Sequence, residues 1–159
     1  MKNKFILLLI LSTGVLFNQS CSKKDSNAQT VTATVNTLSF GSSGGSITES
    51  TNSSGSLYSY GFSCSMNNLV LDIFVPSTKT GTYTFGTTSY SAGLQFAGGN
   101  GGTYFTYKNG IPSKGSIIIT SSSNSTISGT FTGVLYPSGT LLTDSAVITN
   151  GVFSNLAYK

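Results

Sequence analysis

The feature that most limits the fold is a short-range alternation of apolar and polar residues. Ile127, Gly129, Phe131, Gly133 and Leu135 occupy every second position of one run, with serine, threonine or valine between them. Similar runs recur along the chain, and turn-forming residues interrupt them about every eight to twelve residues. A period of two is typical of a strand with one buried face, and no segment sustains the period of an amphipathic helix. We therefore expect an all-β fold: a single antiparallel β-sandwich or flattened barrel of about ten strands, mostly connected by hairpins.

Several runs predict particular strands. Residues 57–64 and 69–75 flank residues 65–68, whose sequence Ser-Met-Asn-Asn is typical of a hairpin turn. The second of these runs is strongly apolar, which predicts a central strand, whereas the polar residues 46–50 predict a short strand at an edge. Near the end of the chain, Asn150-Gly151 interrupts an apolar stretch, and either a bulge or a hairpin tip accounts for it.

The first residues have the pattern of an export signal. Two lysines precede a short apolar run, and Asn18-Gln-Ser-Cys21 then resembles the cleavage site of a bacterial lipoprotein, in which Cys21 is lipidated. We expect a lipoprotein signal peptide at 1–20, a flexible tether at 21–29 and a single β domain at 30–159. The alternative is an ordinary secretory signal with an incidental cysteine. The lipoprotein interpretation predicts an outer-membrane protein of the cell envelope, facing either the periplasm or the outside.

The net charge gives no support for a nucleic-acid partner. The formal charge is +4, but half of the eight lysines lie in the predicted leader and tether. The remaining lysines and acids are Lys79, Lys108, Lys114, Lys159, Glu49, Asp72 and Asp144. They leave the predicted domain almost neutral, without the clustered basic face that nucleic-acid binding needs.

The residue types argue against catalysis. The chain has no histidine, arginine or tryptophan, so the usual base of a Ser-His-Asp triad is missing. The acids are scattered, and neither the acids nor the two cysteines form a metal-ligand pattern. Cys64 alternates with apolar residues and is interpreted as a buried, inert thiol. We expect a protein that is not an enzyme and has no cofactor, metal site or catalytic residues.

Four segments in order resemble a known family. They are Ala33-Thr-Val-Asn36 with Phe40, Val75-Pro-Ser-Thr-Lys-Thr-Gly-Thr-Tyr83, Ile127-Ser-Gly-Thr-Phe131 and Val147-Ile-Thr-Asn-Gly-Val-Phe-Ser-Asn155. Together they resemble a domain-of-unknown-function family of small Bacteroidota lipoproteins, and the resemblance covers nearly the whole predicted mature chain. Thr37 departs from the family, which commonly has glycine there. The resemblance implies a lipid-anchored β domain and assigns no catalytic or binding residue.

Candidate binding residues are aromatic. Tyr58, Tyr60, Tyr104 and Tyr107 are predicted to offer rings on which a sugar or an extended peptide stacks, and the alternative is that they pack in the core or across strands. Asp144-Ser145-Ala146 matches a short O-glycosylation pattern of Bacteroidota, with Ser145 as the acceptor, and a plain turn explains the same residues.

These observations favour a non-catalytic binding or interaction module that is anchored to the membrane and has a glycan, peptide or protein partner. One alternative is a carrier whose barrel interior, lined by Phe62, Phe74 and Phe131, holds a small apolar ligand. Another is a purely structural envelope lipoprotein.

Overall fold

The computed structural model describes residues 28–44, 46–51, 57–86, 92–98, 103–105, 114–137 and 145–158. These residues form eleven strands and no helix. The strands are β1 (Thr30–Val35), β2 (Leu38–Ser43), β3 (Ser46–Thr51), β4 (Leu57–Met66), β5 (Leu69–Val75), β6 (Gly81–Thr84), β7 (Gly93–Gly98), β8 (Thr103–Phe105), β9 (Lys114–Ser122), β10 (Thr126–Pro137) and β11 (Ala146–Ala157). The all-β class is confirmed, and the strand number is close to the expected ten.

The strands form one curled antiparallel sheet with two halves that meet at β10. In the first half, called sheet A, the order is β2, β1, β11, β10, β9, β6. In the second half, called sheet B, β10 pairs through Tyr136 and Pro137 with β8, and β7, β5, β4 and β3 follow. Because β10 is long enough to pair with β9 and β11 first and with β8 near its end, one strand carries the chain from one half to the other.

The predicted hairpin is confirmed. Strands β4 and β5 pair from Tyr60 with Val75 to Met66 with Leu69. Asn67 in the connecting turn has a φ of 54°, a left-handed conformation that asparagine tolerates better than most residues. Strand β5 pairs on both sides and β3 pairs only with β4 in the described chain, so the central and edge placements are also confirmed.

Asn150-Gly151 is a bulge within β11 rather than a hairpin tip. Asn150 has a φ of 52°, and the register with both neighbouring strands shifts at this point. Thr149 and Asn150 both face outward, while Ile148 and Gly151 are buried. The extra residue therefore restores the correct alternation for the rest of the strand.

The inner faces of both halves form one apolar core. Its largest fully buried side chains are Phe40, Leu71, Ile73, Leu94, Ile117, Ile119, Ile127, Phe131, Leu135, Ile148, Phe153 and Leu156. The rings of Phe131 and Phe153 stack with centroids 6.3 Å apart. Glycines make room for such rings: a Cβ on Gly129 would lie 2.6 Å from the Phe153 ring and would collide with the carbonyl oxygen of Ile118. Backbone and ring are therefore in direct contact at this point of the core.

Phe74 does not line the interior, so that part of the carrier hypothesis is wrong. Phe62 is 2% exposed and Phe131 is 1% exposed. On β5, however, the alternation directs Leu71, Ile73 and Val75 inward and leaves Phe74 half-buried on the opposite face.

Besides β10, an isolated bridge between Phe85 and Ala92 and two further contacts join the halves. The backbone N–H of Gly41 in β2 donates to the sulfur of Met66 at the end of β4, at 3.2 Å. Tyr158, directly after β11, packs edge-to-face against Tyr60 of β4 with ring centroids 5.7 Å apart. Its hydroxyl donates to the carbonyl oxygen of Ser123. The curled sheet is thus held to itself at β2 and at the end of β11.

Candidate functional site

The outer face of sheet A carries a continuous row of hydroxyl side chains, one from each of its six strands. In order across the sheet they are Thr84, Ser116, Thr132, Thr149, Thr34 and Ser39. Strand pairing places Thr84 opposite Ser116, Ser116 opposite Thr132, Thr149 opposite Thr34, and Thr34 opposite Ser39. Thr132 lies opposite the bulge that contains Thr149 and Asn150. We call this row the hydroxyl ladder.

The ladder follows from alternation in the strands. On β10, Phe131 and Gly133 are buried. Thr132 lies between them and Thr130 precedes Phe131, so both threonines face outward. On β9, Ile117 is buried and Ser116 faces outward in the same way. Neighbouring strands lie about 4.8 Å apart, so six strands give a row about 24 Å long. The ladder is therefore long enough to contact several units of an extended ligand.

The bulge in β11 keeps the ladder continuous. With one residue fewer, every residue before or after this point would change faces, because side chains alternate with a period of two. Because Thr149 and Asn150 both face outward, the alternation is correct on both sides of the bulge. Ile148 and Phe153 are buried, while Thr149 and Val152 face outward. The bulge at Asn150 thus places the hydroxyl group of Thr149 in the ladder.

The adjacent row combines hydroxyl and apolar side chains. It runs Thr82, Ile118, Thr130, Val152, Thr32 across five strands. Ile118 is 40% exposed and Val152 is 42% exposed, although their neighbours on the same strands are buried. Large apolar groups on an open face have a hydration cost that a bound partner would relieve.

Two open clefts flank the ladder. The larger has a volume of about 560 Å³, and Met66 and Asn150 lie at its sides. Its lining on β1 and β2 consists of Thr32, Ala33, Thr34, Ser39, Phe40 and Gly41. A Cβ on Gly41 would meet no atom within 4 Å, so the missing side chain contributes to this hollow. The cleft presents hydroxyl and amide groups beside a thioether.

The smaller cleft, called the Lys114 groove, has a volume of about 260 Å³. Its outward side chains are Lys114, Thr132, Val134, Val147 and Thr149. Val134 pairs with Lys114 on one side and with Val147 on the other, so these three side chains form a short row next to the ladder. The two clefts are adjacent because Thr149 and Asn150 are consecutive.

The strands of sheet A carry almost no charge. The sequences of the six strands of sheet A contain a single charged residue, Lys114, and no acid. Asp72 lies on β5 in sheet B, and it pairs in register with Ser63 and Gln95. The ladder is therefore an uncharged polar row with one cation beside it, on the second of the six strands.

The predicted tyrosines do not converge on a common site in the described chain. Tyr60 and Tyr104 are half-buried and pack against the core, Tyr60 through its contact with Tyr158. Tyr107 and the side chain of Tyr58 lie outside the described residues. Tyr60 and Tyr104 therefore pack as expected if these tyrosines belong to the core. Their role as rings on which a ligand stacks stays a prediction.

The two predicted modification sites also stay predictions. Cys21 lies outside the described residues, and so does Asp144 of the glycosylation pattern. Ser145 is half-buried directly before β11. Cys64 is buried, and burial followed by the nearby charge of Asp72 raises the pKa of its thiol from 9.0 to about 11. A thiol with such a pKa is protonated at neutral pH and is a poor nucleophile.

The described residues contain neither a metal-binding cluster nor a membrane-spanning helix. They contain no group of three or more acid or cysteine side chains placed to hold a metal ion. No helix in this part of the chain has the length and apolar character to cross a membrane.

The sequence interpretation missed the ladder, although its signal was present. Threonine or serine occupies alternate positions in Thr30–Val35, in Gly81–Thr84 and between Ser128 and Thr132. Each run alone looks like the solvent face of a strand. The pairing of distant strands, such as β6 with β9 and β1 with β11, brings the runs into one row.

Comparison with known families shows to which family the chain belongs. The model of a family described as Domain of unknown function (DUF6252) matches residues 27–157. The chain belongs to this family. The resemblance to a domain-of-unknown-function family is thereby confirmed, and the match covers every strand of the fold. No curated protein and no solved structure matches the chain.

Proposed function

We propose that this DUF6252 protein is a lipid-anchored binding module of the cell envelope that holds an extended glycan on the outer face of sheet A. It acts without catalysis, and its partners are the membrane, through lipidated Cys21, and the glycan. The observation that carries the proposal is the hydroxyl ladder: six hydroxyl groups in a row, flanked by open clefts on an almost uncharged face.

The chemistry of the face supports a glycan. A sugar offers many hydroxyl groups that donate and accept hydrogen bonds, and serine and threonine hydroxyls do both. Sugar rings also have apolar C–H faces, which the methyl groups of threonine and the exposed Ile118 and Val152 complement. A repeated ladder of identical groups suits a ligand that is itself a repeating chain.

The core gives less support to the carrier alternative. Phe131 and Phe153 stack on each other, and glycines bring the backbone against their rings. These side chains leave no free space at this point of the interior. The two clefts beside the ladder open outward.

The binding proposal is tested by removing hydroxyl groups without changing shape. In the double variant Thr132→Val, Thr149→Val, two neutral hydrogen bonds to the ligand are lost, so affinity for a glycan selected on an array should fall about tenfold. Thr120→Val is the matched control, because Thr120 is exposed on β9 beyond the ladder. Isothermal titration measures the affinities, and thermal melting shows whether the variants stay folded.

Equal affinities of the double variant and the wild type would contradict the ladder as the binding surface. An array without any bound glycan, together with an envelope defect on gene deletion, would favour the purely structural alternative.

The anchor is tested by counting thiols. The chain has two cysteines, and lipidation of Cys21 would leave Cys64 as the free thiol. The membrane-derived protein, unfolded in denaturant, should therefore react with one equivalent of a thiol reagent. Two equivalents, and release from membranes without detergent, would contradict lipidation.

A further inference from the structure

We propose that the glycan is acidic and that the Lys114 groove receives a uronic acid unit. The inference rests on the proposed function, and it adds a substrate class and a position for the charged unit. The ligand would lie along the hydroxyl ladder, with the carboxylate of one sugar at the ammonium group of Lys114.

Charge complementarity favours an acidic unit at Lys114. Lys114 is exposed, and the six strands of sheet A contain no acid to pair with it. Asp72, on sheet B, pairs in register with Ser63 and Gln95. The strands of sheet A thus contain a cation and no acid to pair with it, and a carboxylate on the ligand would supply the partner.

The groove has an apolar side and a hydroxyl side, as a sugar ring requires. Val134 and Val147 lie next to Lys114 in one row, and Thr132 and Thr149 border the groove on the ladder side. A pyranose ring in this groove would place its apolar face on the two valines and its hydroxyl groups toward the threonines. Its carboxylate would then extend toward β9, where the long side chain of Lys114 begins.

The Lys114 groove is continuous with the hydroxyl ladder. Thr132 and Thr149 belong both to the groove and to the hydroxyl ladder. A ligand that occupies the ladder therefore passes the groove. One acidic sugar unit binds in the groove, and the uncharged remainder of the ladder accommodates the neutral units of the glycan.

The test compares two forms of one glycan. Oligogalacturonate and its methyl ester have the same backbone, but the ester has lost the negative charge of the carboxylates. The full-length chain, purified in detergent, is titrated with both at low ionic strength. The acid form should bind about fivefold more tightly, and the advantage should decrease as salt screens this exposed contact.

Lys114→Gln should abolish the preference, because the acid form loses its charged partner and should bind about fivefold more weakly, with an affinity equal to that of the ester. Lys79→Gln is the matched control: it removes the same charge from the exposed turn before β6, and the preference should persist. Lys114→Arg should retain most of the preference, because the charge remains.

Two results would overturn the inference and leave the proposed function intact. One is equal binding of the acid and the ester, with binding still sensitive to Thr132→Val, Thr149→Val. The other is an acid preference that persists in Lys114→Gln. If neither glycan form binds and the array also gives no ligand, the proposed function itself fails.

Discussion

On the inner face of sheet A, glycines and phenylalanines interlock, whereas the outer face of the same strands includes a regular row of small hydroxyl side chains. Gly129 on the inner face contacts the Phe153 ring and the backbone of Ile118, and an added methyl group has no space there. Gly41 on the outer face borders an open cleft, and an added methyl group would meet nothing. The difference indicates that the inner face determines the fold and that the outer face is free to be specialised for binding.

Gly129→Ala should have the largest effect on stability. The new Cβ collides with backbone as well as with a ring, so the strands themselves must shift, and we expect a loss of about 3 kcal/mol in the free energy of unfolding. Gly41→Ala, the matched change on the outer face, should be neutral or stabilising by about 0.5 kcal/mol. Urea unfolding of both variants measures the contrast, and similar losses would show that the two faces do not differ as described.

The thiol of Cys64 gives the second contrast. Its pKa of about 11 predicts about a hundredfold less thiolate than a thiol of pKa 9.0 at the same mildly alkaline pH, and its burial hinders reagents further. Cys64 should therefore react slowly in the folded protein. The control is Ser65→Cys in a Cys64→Ala background, because Ser65 is the exposed neighbour on β4. Equal labelling rates for the two thiols would contradict the burial of Cys64.

The same pKa makes a prediction about pH. The unfolded chain releases the proton of Cys64 near pH 9, while the folded chain retains it until about pH 11. The contribution of this thiol to stability is therefore complete below pH 9 and is lost as the pH rises toward 11. Between pH 9 and pH 11 the melting temperature should fall more steeply in the wild type than in Cys64→Ala. Parallel curves of melting temperature against pH would argue against the raised pKa of Cys64.

Asn36 at the edge of the ladder predicts a smaller effect. Its φ is 54°, its side-chain oxygen accepts from the N–H of Val147 at 2.8 Å, and its own N–H donates to the Val147 carbonyl at 2.7 Å. Asn36→Ala loses the side-chain bond and places alanine in a left-handed conformation, which together should cost about 2 kcal/mol.

Two variants separate these contributions. Asn36→Gly keeps the conformation and loses the bond, so it should cost about 1 kcal/mol. Asn67→Ala changes an asparagine of the same φ in the β4–β5 turn, and about 1 kcal/mol is expected from the conformation alone. Chemical unfolding distinguishes the three variants, and an Asn36→Ala loss no greater than that of Asn67→Ala would exclude a role for the bond.

Local patterns predicted much of the fold. Alternation identified β4, β5 and β10 with bounds close to those observed, and two asparagines marked the β4–β5 turn. The choice between bulge and hairpin at Asn150-Gly151 depended on the strands on either side of β11, which alternation does not reveal. For the same reason the hydroxyl ladder was missed, because Thr34, Thr132 and Thr149 meet only through long-range pairing.

The central claim is that ligand binds to the outer face of sheet A, and nuclear magnetic resonance of methyl groups tests it most directly. Titration with oligogalacturonate should shift the methyl signals of Val134, Val147 and Thr149, and leave that of Val70, on β5 of sheet B, unchanged. Shifts confined to sheet B, or no shifts at saturating ligand, would contradict the claim.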